Sequence, residues 1–163
     1  MRVGNRISFV WQGSGSLVER LAAPWSHLLL RLAQHQRPIE AIFSCSGVAG
    51  VRIRSKMHDI GVRKEIGVLE FDDAPVEPVE CVDQLVLPAS FLKGNLGASK
   101  LVATDNGITA ESGLALRTDS GNEVIVVAGD YPFTLAVLVD GSCIDQFQPE
   151  YPMQSYRELP FAQ

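Results

Sequence analysis

Apolar runs of four to eight residues recur along this chain, each bounded by turn-forming residues. The runs are ISFVW, SHLLLRL, IEAIFS, GVRIR, IGVLEF, QLVLP, GLALRT, NEVIVVAG and FTLAVLV, and β-branched and aromatic residues are frequent in them. Runs this short, without a sustained helical period, suit strands better than packed helices. Their spacing predicts a mainly β fold, an antiparallel sandwich or barrel-like meander of about ten short strands.

Two segments break the pattern. In SLVERLAAP, Ser16 and Glu19 have capping-box spacing and Pro24 stops the segment, which predicts a short helix. In LPASFLKGNLG, Pro88 suits a first helical turn and Gly94 a terminus, which predicts a second.

The stretch RTDSGNEVIVVAGDYPF, Arg117 to Phe133, is accounted for by strands and corners alone. Asp119 to Asn122 reads as a tight hairpin turn with Gly121 left-handed. Val124 to Val127 reads as a strand buried on both faces, and GDYP as the next corner. FTLAVLV then returns with Phe133, Leu135, Val137 and Val139 on one face. A phosphate loop would need a helix after its glycines. An EF-hand would need acidic ligands where valines stand. SHLLLRL and SGLALRT share Ser, Leu, Leu and Arg, and each precedes a turn and an apolar strand. This suggests a duplicated hairpin at residues 26–44 and 112–128.

Net charge is −5, without the dominant basic face that nucleic acid requires, so no nucleic-acid partner is expected. Charge is segregated, however. Between Val51 and Lys64 the bases are Arg52, Arg54, Lys56, Arg63 and Lys64, against Asp59 alone. Glu70, Asp72, Asp73, Glu77, Glu80 and Asp83 follow with no base among them. On a strand, Arg52, Arg54 and Lys56 share one side. They form either a stripe for an anionic partner or one half of a set of cross-strand ion pairs, and the pairing is favoured.

The apolar stretch Glu123 to Val139 is broken by Gly129, Asp130 and Pro132. It falls short of the ~20 residues of a membrane-spanning helix, so no membrane partner is expected. The first residues, MRVGNRISFVWQGSG, lack an apolar core and cleavage site, which predicts no secretory leader and a cytoplasmic location. Cys45, Cys81 and Cys143 are odd in number and widely spaced, and read as reduced thiols. Cys45, His58 and Asp59 are the candidate catalytic set, because a reactive thiolate needs an imidazole and a carboxylate to orient it. Neighbours on a strand point to opposite faces, which argues against Asp59 orienting His58. His27, His35 and His58 match no metal signature, and neither metal nor cofactor is expected. Asp72, Asp73 and Asp105 read as surface carboxylates, the last in a DNG turn.

The final segment, QFQPEYPMQSYRELPFAQ, mixes prolines with aromatics and has little periodicity. The chain thus divides into a β-rich domain over residues 1–147 and an extended arm over 148–163. Tyr151, Tyr156 and Phe161 would anchor the arm in a groove. The prolines favour a groove on a second copy of the chain, giving a homodimer, over one on its own domain. The favoured function is a non-catalytic protein-interaction or assembly domain. Its partner contacts would be Arg52, Arg54, Lys56, Tyr151, Tyr156 and Phe161. The alternative is a small-ligand-binding β-barrel, or a small hydrolase-like enzyme using Cys45 and His58.

Overall fold

Two sheets pack face to face. In the computed structural model the strands are β1 (Arg2–Val3), β2 (Arg6–Ile7), β3 (Val10–Trp11), β4 (His27–Leu32), β5 (Pro38–Cys45), β6 (Val48–Gly61) and β7 (Lys64–Asp73). They continue with β8 (Val82–Val86), β9 (Gly97–Asp105), β10 (Ile108–Arg117), β11 (Glu123–Ala128), β12 (Leu135–Val139), β13 (Ser142–Cys143) and β14 (Arg157–Pro160). The structure describes all residues except 1, 4, 34–36, 46–47, 75–81, 94–96, 144–147 and 162–163, and only the backbone of 2, 3, 48, 49, 82 and 143. His35, Glu77, Glu80, Cys81, Gly94 and the boundary at 147 lie outside the described residues, as does the Cys143 side chain.

The first sheet holds β1, β2, β10, β11, β12 and β13, with β9 on β10 and β14 on β9. The second runs β3-β7-β6-β5-β4-β8. The fold is a mainly β sandwich and not a closed barrel. Most pairings are antiparallel, but β2 joins β10 and β3 joins β7 in parallel, so the N-terminal segment crosses from one sheet to the other. Buried Glu111 holds that crossing: its carboxylate accepts from the Phe9 backbone N–H at 2.7 Å, from Lys100 at 3.0 Å and from Arg6.

The two expected helical segments differ in kind. Helix α1 (Leu17–Leu21) begins where the Ser16 hydroxyl accepts the Glu19 N–H. It buries Leu17 and Leu21. Ala89–Lys93 is a 3-10 turn that buries Phe91.

The main core lies between the sheets. Leu114, Leu116, Val124, Val126, Leu135 and Val137 face Leu28, Leu30, Phe43, Val51, Ile53, Leu69 and Phe71. The expected meander β10-β11-β12 is present, and Val124 to Val127 is buried on both faces. The hairpin turn closes with the Gly121 N–H on the Thr118 carbonyl at 3.0 Å, and Gly121 sits at φ 88°.

Two features depart from the strand reading. GVRIR and IGVLEF belong to one long hairpin, β6–β7, rather than two short strands. It extends because Ile60, Ile66 and Val68 find a second apolar cluster with Ile7, Ala103, Ile108 and Ala110. Phe133 does not share the face of Leu135, Val137 and Val139; it precedes β12 and is 59% exposed. Segments 26–44 and 112–128 each contain a hairpin, β4–β5 and β10–β11, one in each sheet.

The outer face of the first sheet is also apolar, formed by Leu101, Ala115, Ile125, Val127, Ala136 and Leu138. The C-terminal arm covers it. Met153 and Tyr156 pack on this face, and Tyr151 and Tyr156 on the second cluster. β14 then pairs with β9, from Arg157 opposite Val102 to Pro160 opposite Ser99. Phe161 ends against Phe9, with ring centroids 5.6 Å apart. Where the prolines point to a groove on a second copy, the chain lays the arm on its own domain.

Gly121 has a conformation that a β-branched residue strongly resists. Gly121→Val is expected to lower stability by about 1–3 kcal/mol, measured by chemical denaturation. An unchanged midpoint would contradict the turn's role.

Candidate functional site

The corner between β11 and β12 begins with a close approach. A Cβ on Gly129 would sit 2.4 Å from the Thr134 hydroxyl, so only glycine fits. That hydroxyl donates to the Tyr131 carbonyl at 2.6 Å, and the Gly129 N–H donates to the Thr134 carbonyl at 2.8 Å. The chain between is forced into a tight projection, Asp130 to Phe133. Tyr131 is 54% exposed and Phe133 59%.

Phe133 adopts φ 61°. Arg63, Asn106 and Asp140 also have positive φ; Arg63 sits in the β6–β7 hairpin turn, and Asn and Asp side chains tolerate the left-handed region. A bulky aromatic does not, and such strain persists only where the surroundings impose it. An aromatic held in strain while its ring faces solvent is a candidate contact residue. Among the described residues the other exposed large apolar side chains, Val18, Val62, Val86 and Leu92, are all aliphatic.

A distant segment buttresses the corner. Arg37, just before β5, stacks on the Tyr131 ring at 3.7 Å and pairs with Asp130 at 3.2 Å. The arm braces the other side. The Asp130 N–H donates to the Gln148 carbonyl at 3.0 Å, Gly129 bridges to Pro149, and the Glu150 N–H donates to the Ala128 carbonyl at 2.9 Å.

Glu150 is the most perturbed carboxyl here. It is half-buried where β7 meets β11, and its Oε1 accepts the Gly67 N–H at 3.0 Å. Burial pushes it up to about 7, and the nearby carboxylates of Asp105 and Glu65 add to the effect. Asp105 is held below the usual range by Lys64 at 2.9 Å and by the Tyr151 hydroxyl, which donates at 2.7 Å. Burial, foremost, raises both Tyr151 and Tyr156. The Tyr156 oxygen accepts the Tyr151 N–H at 3.3 Å.

No family, curated protein or solved structure matches this chain.

The residues singled out from sequence fall into three groups. Arg52, Arg54 and Lys56 share the outer face of β6, as alternation requires. Arg52 pairs with Asp72 in a two-pronged contact, through Nε at 2.8 Å and a second guanidinium nitrogen. Arg54 reaches Asp72 at 3.4 Å and Glu40 at 3.9 Å, and Lys56 reaches Glu70 at 3.9 Å. Asp73 is engaged by Ser14 and Arg20. These charges are matched across strands.

The second group does not assemble. Cys45 pairs with Val48 at one end of β6 and His58 lies near the other, roughly 30 Å away along the strand. Burial, then the charge of Lys56, holds the His58 imidazole below its usual range. Among the described residues no group of His, Cys, Asp and Glu has metal-site geometry. The third group, Tyr151, Tyr156 and Phe161, packs inward as anchors of the arm. Arg37, Asp130, Tyr131 and Phe133 were not singled out from sequence. The one available signal was Gly-Asp-Tyr-Pro-Phe, two aromatics about a proline within a corner.

Phe133→Asn removes the ring and suits the left-handed backbone. We expect stability to stay level or rise by up to about 1 kcal/mol, read from denaturant midpoints. A loss above about 1 kcal/mol would instead give Phe133 a structural role.

Proposed function

We propose that this chain is a non-catalytic protein-interaction domain that inserts the Tyr131–Phe133 projection into an apolar pocket of a partner protein. The observation that carries the reading is Phe133, strained at φ 61° and 59% exposed. Strain at an exposed site serves no packing purpose, whereas pre-organised aromatics lower the entropic cost of binding. Tyr and Arg are the residue types that dominate interface energetics, and Tyr131 and Arg37 are stacked together here. The projection is convex, so its complement is concave. Asp130 and Arg37 at its base would meet a polar rim.

The charged face of β6 takes a lesser part in this reading. Cross-strand pairs already engage Arg52, Arg54 and Lys56. Arm anchors Tyr151, Tyr156 and Phe161 support the surface from beneath rather than contact the partner.

A photo-reactive phenylalanine analogue at position 133, in the tagged domain, tests the proposal in extract from the native cell. We expect one cross-linked partner, bound roughly 30-fold more weakly by Phe133→Asn, as for an interface hot spot. A variant with Arg52, Arg54 and Lys56 all changed to Ala should retain it. A partner bound equally well by Phe133→Asn would contradict the proposal. Cross-links between two copies of this chain would identify the partner as a second copy.

A further inference from the structure

The arm touches the corner at its base and reaches a half-buried carboxyl two residues later. The Gln148 carbonyl accepts the Asp130 N–H, and Pro149 lies opposite Gly129. Glu150 then takes the Gly67 N–H of β7. One residue thus ties the start of the arm to β7 through its carboxyl and to the end of β11 through its backbone N–H.

That side chain sits in an unfavourable place for a charge. β7 contributes Glu65, and Lys64 is committed to Asp105 at 2.9 Å. β9 contributes Asp105, and the arm contributes the phenols of Tyr151 and Tyr156. β11 brings the Ala128 carbonyl, which accepts the Glu150 N–H. Among these neighbours the Gly67 N–H is a donor to the carboxyl, and the charges acting on it, those of Asp105 and Glu65, are negative. A protonated carboxyl keeps the Gly67 bond through its carbonyl oxygen and escapes the repulsion.

We propose that Glu150 is a proton-controlled latch: protonated, it clamps the arm and braces the Tyr131–Phe133 projection; ionised, it loosens both. The functional meaning rests on the interaction reading of that projection, but the latch chemistry does not. Its direction follows from linkage. Docking raises the carboxyl from 4.5 to about 7, so the docked arm binds the proton more tightly than the released one. Docking is therefore strongest below the ordinary carboxyl range and weakens as pH rises through about 7. The projection would then be presented firmly in mildly acidic surroundings and loosely in alkaline ones.

Three backbone amides report the latch directly: Gly67, Asp130 and Glu150. Hydrogen exchange, corrected for intrinsic rates, is measured by NMR at about pH 5.5 and about pH 8.5 on the intact chain and on Glu150→Gln. A one-unit difference in proton affinity corresponds to about tenfold in the docking equilibrium, and partial solvent access trims the full effect. We expect protection at Gly67, Asp130 and Glu150 to fall by about tenfold or more on going alkaline. Glu150→Gln, neutral and still an acceptor, should stay protected at both values. Protection that ignores pH in the natural chain would overturn the latch, as would the same pH dependence in Glu150→Gln. If that variant fails to fold, carbon-13 NMR titration of the Glu150 carboxyl in the natural chain decides. A midpoint in the ordinary carboxylate range overturns the proposal, and one near neutrality supports it. No partner is needed for these measurements, so failure here leaves the interaction reading intact, and failure of the cross-linking leaves the latch intact.

Discussion

The first sheet is apolar on both faces, and most of the structure answers to that constraint. Val124 to Val127 cannot turn a wet side to solvent, because no residue among them is polar. Val124 and Val126 face the second sheet, while Ile125 and Val127 face the other way. A two-layer sandwich covers only one of these faces. The arm supplies the third layer, and its aromatic character follows, since each buried aromatic or Met side chain contributes about 1.5–3 kcal/mol. Tyr156 spans the outer cluster and the second cluster at once. The arm is therefore part of the fold and not an appendage to it.

Covering that face also fixes the geometry at the corner. The arm begins beside Gly129 and Asp130, so its first bonds go to the backbone that turns from β11 into β12. Thr134 ties the corner from within, and Arg37 ties it from the second sheet through Asp130 and Tyr131. Three independent restraints hold Phe133 in a conformation it would otherwise leave. Strain of this kind concentrates at functional sites. Here it stands on the surface, with the ring presented outward. The carboxyl of Glu150 is a cost of the same arrangement, since the side chain that carries the arm to β7 is an acid.

Much of the architecture was legible locally. Gly121 announced its turn because only left-handed backbone closes so short a hairpin, and Ser16 with Glu19 announced a helix start. The doubly buried run at Val124 to Val127 was plain from its lack of polar residues. Tyr151, Tyr156 and Phe161 were marked as anchors by their density among prolines, although those prolines argued for reaching outward. What failed was non-local. Period-two counting carried Phe133 into the strand, because the contact of Gly129 with Thr134 that expels it is a packing fact. The stacking of Arg37 on Tyr131 joins segments nearly a hundred positions apart in the sequence. Cys45 and His58, suggestive in the sequence, are kept apart, because Cys45 ends β5 opposite the start of β6 and His58 lies near the far end of β6.

The dependence of the fold on its third layer is tested most directly by deleting residues 148–163. Loss of the Met153 and Tyr156 contacts would expose the face built by Ile125, Val127, Ala136 and Leu138. We expect the shortened chain to melt lower at every protein concentration, with a loss of about 3 kcal/mol or more, and to bind an apolar dye that the intact chain ignores. A shortened chain with the same melting curve and no dye binding would contradict the arm's place in the core structure.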